Sequence, residues 1–209
     1  MALNYIIGLD IGTSSVKGVL VAEDGTEKTT GKAEFVYTYR EDGGIEIDAE
    51  AYLDACFSVL RRLASALPEH GALRGISAAS ASGNLLLLDE AGRPSTPIFN
   101  WQDSRVGEEA RTVLGRIDAG ALYGQTGWPF DYKTFPLCWI KCHRPELLEH
   151  ASKVCMSTEY LVYRLTGNLD STDLSDASYG ALVSLSRRAY DRDFFRAVDL
   201  DPDKFPTVH

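Results

Sequence analysis

The stretch GLDIGTSSVKG, residues 8–18, constrains the fold more than any other part of the chain. It places a Gly-Thr-Ser-Ser turn between NYIIGLD (4–10) and VKGVLVA (16–22), two short runs rich in β-branched residues, and so predicts a hairpin. A second turn, Glu23-Asp24-Gly25, leads to a third strand over 27–39, so three antiparallel strands open the protein. At Asp48 the period changes. Tyr52, Cys56, Val59, Leu60, Leu63 and Leu67 share one helical face, Asp48 is placed to cap it, Glu50 lies in the first turn, and Pro68 and Gly71 end it. Strands follow at 73–80 and 84–89, the first parallel to its neighbours because a helix precedes it. Beyond Trp101 the periodicity is helical over 104–117, 134–142, 145–150 and 157–165, broken by glycine and proline. This order predicts an α/β domain with a mixed sheet flanked by helices, the later helices forming an insertion.

With 209 residues, 44% of them hydrophobic, the chain can bury a sizeable core. Its net charge of −9 leaves no basic field for nucleic acid or an anionic membrane, so any phosphate has to be gripped locally. The N-terminus lacks a basic segment followed by a long apolar stretch, which predicts a cytoplasmic protein. Cys56, Cys138, Cys142 and Cys155 are irregularly spaced and read as reduced thiols in packed helices. Cys138, Cys142 and His143 fit one helical face, but no second ligand pair with zinc spacing follows.

Glycine lets a backbone approach a phosphate closely while amides and hydroxyls point inward. Gly12, Thr13, Ser14 and Ser15 supply these parts, Lys17 adds charge, and Asp10 beside the turn suits a magnesium ion held through water. An ordinary hairpin with Asp10 capping turn amides explains the same residues equally well. The stretch is neither a P-loop nor a GxGxxG fingerprint.

GLDIGTSSVKG followed by a strand and Asp24-Gly25 resembles the first phosphate motif of the FGGY carbohydrate kinases. Three later stretches agree in order: NWQDSR (100–105) resembles W-N/Q-D-x-R, STEYLVYRLTG (157–167) resembles K-D-Y-L-x-x-x-L-T-G, and STDLSDAS (171–178) resembles T/S-D-x-S-D/N-A-S/A. The likeness is greatest to xylulokinases. It implies a ribonuclease H-like fold of the actin/hexokinase ATPase type, and ATP and Mg2+ as cofactors bound through Asp10, Gly12, Thr13, Ser14 and Lys17. It further implies a sugar or polyol partner and, for the full-length protein, a homodimer. Asp173 matches the aspartate taken as proton acceptor; without the likeness it reads as a helix N-cap. Ser82, Trp101, Asp103 and Tyr132 fall where relatives line the sugar site. Asp103 also reads as the cap of a helix starting at 104 or 105, and for Trp101 the core reading is the stronger.

Two stretches depart from the pattern. Where xylulokinases present Met-His, this chain has AASASGN, leaving Ser80, Ser82 and Asn84 to meet a different hydroxyl pattern. In KTFPLCW, Pro136 stands at the family's lysine, with Lys133 as the residue that could compensate. The likeness spans residues 1–209 as the N-terminal, sugar-binding half. A C-terminal nucleotide-binding half is expected to be absent from this chain, and the isolated piece is expected to be inactive. Two other readings are a non-catalytic sugar-binding or regulatory module of the same fold and an actin-like or acetate-kinase-like ATPase; the latter gives no reason for WQDSR and STDLSDAS.

Overall fold

The structure is a computed structural model that describes residues 3–127, 133–180 and 182–209. Tyr132 lies outside the described residues. The chain divides into two compact units, one built from residues 1–37 and 47–81 and the other from 38–46 and 82–209.

In the first unit, β1 (Asn4–Ile11), β2 (Ser15–Ala22) and β3 (Glu27–Glu34) form the expected antiparallel series. The expected third strand is shorter than 27–39. It stops at Glu34 because Phe35 turns inward against Tyr52, ring centroids 5.6 Å apart, and β4 (Tyr37–Tyr39) pairs in a different sheet with β5 (Ile45–Ile47). Helix α1 (Ala49–Ala64) begins at Asp48, whose carboxylate accepts the Ala51 N–H at 2.8 Å. Its buried face, Tyr52, Leu53, Cys56, Val59, Leu60 and Leu63, covers one side of the sheet. β6 (Ala72–Ser80) then joins parallel to β1, giving the mixed order β3-β2-β1-β6. Gly18 in β2 is required by this packing: a Cβ there would lie 2.8 Å from both Leu63 Cδ1 and Val59 Cγ1 and 2.9 Å from Leu9 Cδ2. Gly18→Ala is therefore expected to cost about 1–3 kcal/mol through overpacking, read as a lower urea midpoint at unchanged slope. An unchanged midpoint would refute this packing.

The second unit holds a five-stranded sheet ordered β4-β5-β8-β7-β9, with β7 (Leu85–Leu88), β8 (Ile98–Phe99) and β9 (Lys153–Met156). The segment expected as a strand over 84–89 thus belongs to this sheet, antiparallel to both β8 and β9. All four leucines of β7 are buried, since both faces are covered. Helices α2 (Gly107–Arg116), α3 (Ala119–Thr126), α4 (Thr134–His143) and α5 (Pro145–His150) lie in sequence between β8 and β9. After β9 come α6 (Ser157–Thr166), α7 (Leu174–Ala177), the short pair β10 (Val183–Ser184) and β11 (Ala189–Tyr190), and α8 (Arg192–Val198). Leu85, Leu87, Phe99, Leu137, Ile140, Met156 and Phe195 centre its core.

All four cysteines are free. Burial pushes the Cys56 thiol up to about 12 and the Cys155 thiol upward as well, so neither is poised to react. Cys155 lies in β9, not in a helix, and Cys142 is exposed, which corrects the expectation of four helical core thiols. Among the described residues no helix is long and apolar enough to cross a membrane.

Candidate functional site

In the first unit the hairpin turn closes with the Gly12 N–H donating to the Ser15 carbonyl at 3.0 Å. Thr13 and Ser14 project from it, both exposed, and among the described residues neither hydroxyl has a partner within the chain. Asp10 and Lys17 face each other across the β1–β2 ladder, and both are exposed. A cavity of about 750 Å³ adjoins them, lined also by Gly8, Lys32, Arg62 and Ser77. Free hydroxyls, flanking cations and one carboxylate form a donor set suited to phosphate oxygens and a hydrated divalent cation. A Cβ at Gly12 would meet only the Ser15 carbonyl, at 3.6 Å, so packing within the protein does not demand glycine there. Among the described residues no cluster of three or more His, Cys, Asp or Glu could hold a metal. A cation here would be carried by Asp10 and by its ligand's own oxygens.

The second unit contributes the WQDSR segment. Asp103 is buried, and its carboxylate is filled by protein donors: Ile45 N–H at 3.1 Å, Arg105 N–H at 3.1 Å, Arg105 Nε at 3.0 Å and Arg105 Nη2 at 2.6 Å. Asp103 therefore does not cap a helix at 104 or 105, because α2 starts only at Gly107. Arg105 also pairs with Glu46 at 3.0 Å, and its guanidinium lies over Trp139 at 4.4 Å and Phe99 at 5.0 Å. Trp101 is 39% exposed, which corrects the core reading. Its backbone N–H donates to Asn84 Oδ1 at 3.2 Å, the same oxygen that takes the Asn100 amide at 3.2 Å. Asn84 is itself buried, so it braces the Trp101 segment.

Ser82 Oγ donates to Asp176 Oδ1 at 3.0 Å. Asp176 is 7% exposed, and burial is the main cause holding its carboxyl above the ordinary range, with the Lys133 charge opposing. Asp173 caps α7, its Oδ1 accepting the Asp176 N–H at 2.9 Å, and is otherwise exposed. Behind it lies a polar core that motif reading missed. Lys133 Nζ is 3.7 Å from Glu159 Oε1, which also accepts the Thr172 hydroxyl, while Glu159 Oε2 accepts the Met156 N–H at 2.7 Å. Lys133 and Glu159 are both buried. The displaced lysine of KTFPLCW thus has a carboxylate partner from STEYL, and no motif spacing in the sequence links the two.

The model of the FGGY family of carbohydrate kinases, N-terminal domain, matches residues 5–209. The chain belongs to that family. It is 29% identical over 208 residues to a xylulose kinase of Lactococcus lactis, covering 99% of this chain and 41% of that protein. It is 28% identical over 203 residues to a gluconokinase of Bacillus subtilis, covering 96% of this chain and 39% of the relative. The crystal structure of a xylulose kinase from Rhodospirillum rubrum superposes with a TM-score of 0.91 at 26% identity, covering 98% of this chain and 42% of the other. This FGGY chain has the expected α/β fold of the actin/hexokinase ATPases. It spans about two-fifths of the length of the curated relatives it matches.

Proposed function

We propose that, within its natural full-length protein, this FGGY chain forms the sugar-binding half of an ATP-dependent kinase that phosphorylates a hydroxyl of a ketose or polyol, a xylulose-like acceptor first. The observation that carries the reading is the hairpin, where the Thr13 and Ser14 hydroxyls, without a partner among the described residues, sit beside exposed Asp10 and Lys17. On this reading Gly12, Thr13 and Ser14 receive phosphate oxygens, Lys17 offsets their charge, and Asp10 holds magnesium through water. Bound magnesium ATP supplies the phosphoryl group and neutralises its oxygens. Trp101 offers its exposed ring to one face of the sugar. Ser82 meets a hydroxyl, and Tyr132 is a further wall residue. Asp103 acts on that wall by holding Arg105 and the Ile45 backbone. Asp173 takes the proton of the attacking hydroxyl on Oδ2, since its Oδ1 is committed to α7.

The test is ADP release by the full-length protein with ATP and magnesium against pentuloses, hexuloses, polyols and aldonates. A ketose or polyol is expected to release ADP well above background. Background release with every acceptor would refute the proposal.

A further inference from the structure

The Ser82–Asp176 pair carries an inference about which acceptors the chain takes. Ser82 joins Asp176 across 94 positions of sequence, and Gly83 follows at φ +92°, turning the chain immediately after it. A serine hydroxyl has one proton to give, and here it goes to the carboxylate. Towards anything else Ser82 Oγ can only accept.

Asp176 is under-used as an acceptor. A carboxylate offers about four lone-pair sites, and among the described residues this one receives a single hydrogen bond, although it is 7% exposed. Its Oδ2 takes no bond from the described residues and is not among the enclosed unpartnered atoms, so it keeps an opening through which a ligand hydroxyl can reach it. Burial also holds its carboxyl above the ordinary range, as expected where few donors stabilise the charge. The charges around it are Lys133, Glu159 and Asp173. Of these charges Lys133 acts most strongly on Asp176 and favours its ionised form, while Glu159 and Asp173 oppose it. Ala81 and Gly83, on either side of Ser82, add no donor side chain.

Building on the kinase reading above, we propose that Ser82 Oγ and Asp176 Oδ2 form an acceptor-only pair that takes two hydroxyl donors from an uncharged ketose or polyol and turns away aldonates. A carbonyl or carboxylate oxygen brings no proton to either atom, whereas neighbouring hydroxyls satisfy both. The pair would thus separate the two acceptor chemistries named among the relatives, xylulose and gluconate.

The experiment uses the full-length enzyme with D-xylulose, xylitol and D-gluconate, following ADP release by wild type, Ser82→Ala and Asp176→Asn. Wild type is expected to prefer a neutral acceptor to gluconate. Each variant should raise KM for it by about 10- to 100-fold with a much smaller change in kcat, and Asp176→Asn should narrow the preference over gluconate. Because burial disfavours the Asp176 charge, the melting temperature of Asp176→Asn should hold or rise, which separates lost binding from lost folding. Unchanged KM in both variants overturns the inference and leaves the kinase reading standing, as does a wild-type preference for gluconate or no ADP release with these three acceptors. Failure of every acceptor in the wider screen removes both.

Discussion

Glu159→Leu is expected to destabilise the second unit by about 3–5 kcal/mol, the usual result of removing one partner of a buried ion pair. Among the described residues the carboxylate has three partners: Lys133 Nζ at 3.7 Å, the Thr172 hydroxyl and the Met156 N–H. Lys133 is 2% exposed, so its ammonium cannot recover the lost interaction from water. In thermal unfolding the loss corresponds to a fall of roughly 6–20 °C for a unit of this size. Glu159→Gln keeps one acceptor oxygen where the carboxylate has two and drops the charge, and should fall between wild type and Leu. The double variant Lys133→Met with Glu159→Leu is expected to regain much of the loss, because paired apolar replacements remove the desolvation cost with the attraction. Single variants within 1 kcal/mol of wild type by chemical denaturation would refute a closed pair.

Asp173→Asn in the full-length enzyme is expected to lower kcat by about 10²–10⁴-fold with a modest change in sugar KM, the usual size of a lost general base. The substitution discriminates well because asparagine is as good an N-cap as aspartate. The bond to the Asp176 N–H at 2.9 Å, and with it the start of α7, should survive while the proton acceptor is lost. Asp173→Ala supplies the complementary arm by losing both roles. It should add a stability cost of about 0.5–2 kcal/mol that the Asn variant lacks. Near-normal kcat in the Asn variant would reduce Asp173 to its capping role.

The features readable in advance were those encoded over a few neighbouring residues. The turn after Asp10, the Asp48 cap and the apolar stripe of α1 each lie within a short window, and each forms where the pattern places it. The division into two sheets was not legible. Leu85–Leu88 has no periodicity to say which sheet receives it, and β8 at Ile98–Phe99 is too short to announce itself. The candidate site divides in the same way. Ser82, Asp103 and Asp173 could be picked out by their motifs, but what their polar atoms do depends on partners far along the chain. Asp103 is filled partly from Ile45, 58 positions earlier, and Ser82 turns to Asp176. Trp101 read as core because an indole after an apolar strand usually is, yet Asn84 and Asn100 hold its loop at the surface. Lys133 and Glu159 carry no motif signal as a pair, because a buried charge is recognisable only once its opposite has been located.

Residues 38–46 have a consequence for how this molecule can be divided. They sit in sequence inside the first unit but supply Ile45 to Asp103 and Glu46 to Arg105 in the second. Severing the gene after codon 81 would therefore not yield two autonomous modules, since the downstream product would lack the hairpin that neutralises Arg105 and fills Asp103. Recombination or circular rearrangement would have to carry both stretches together, so the two units are bound to be inherited as one cassette.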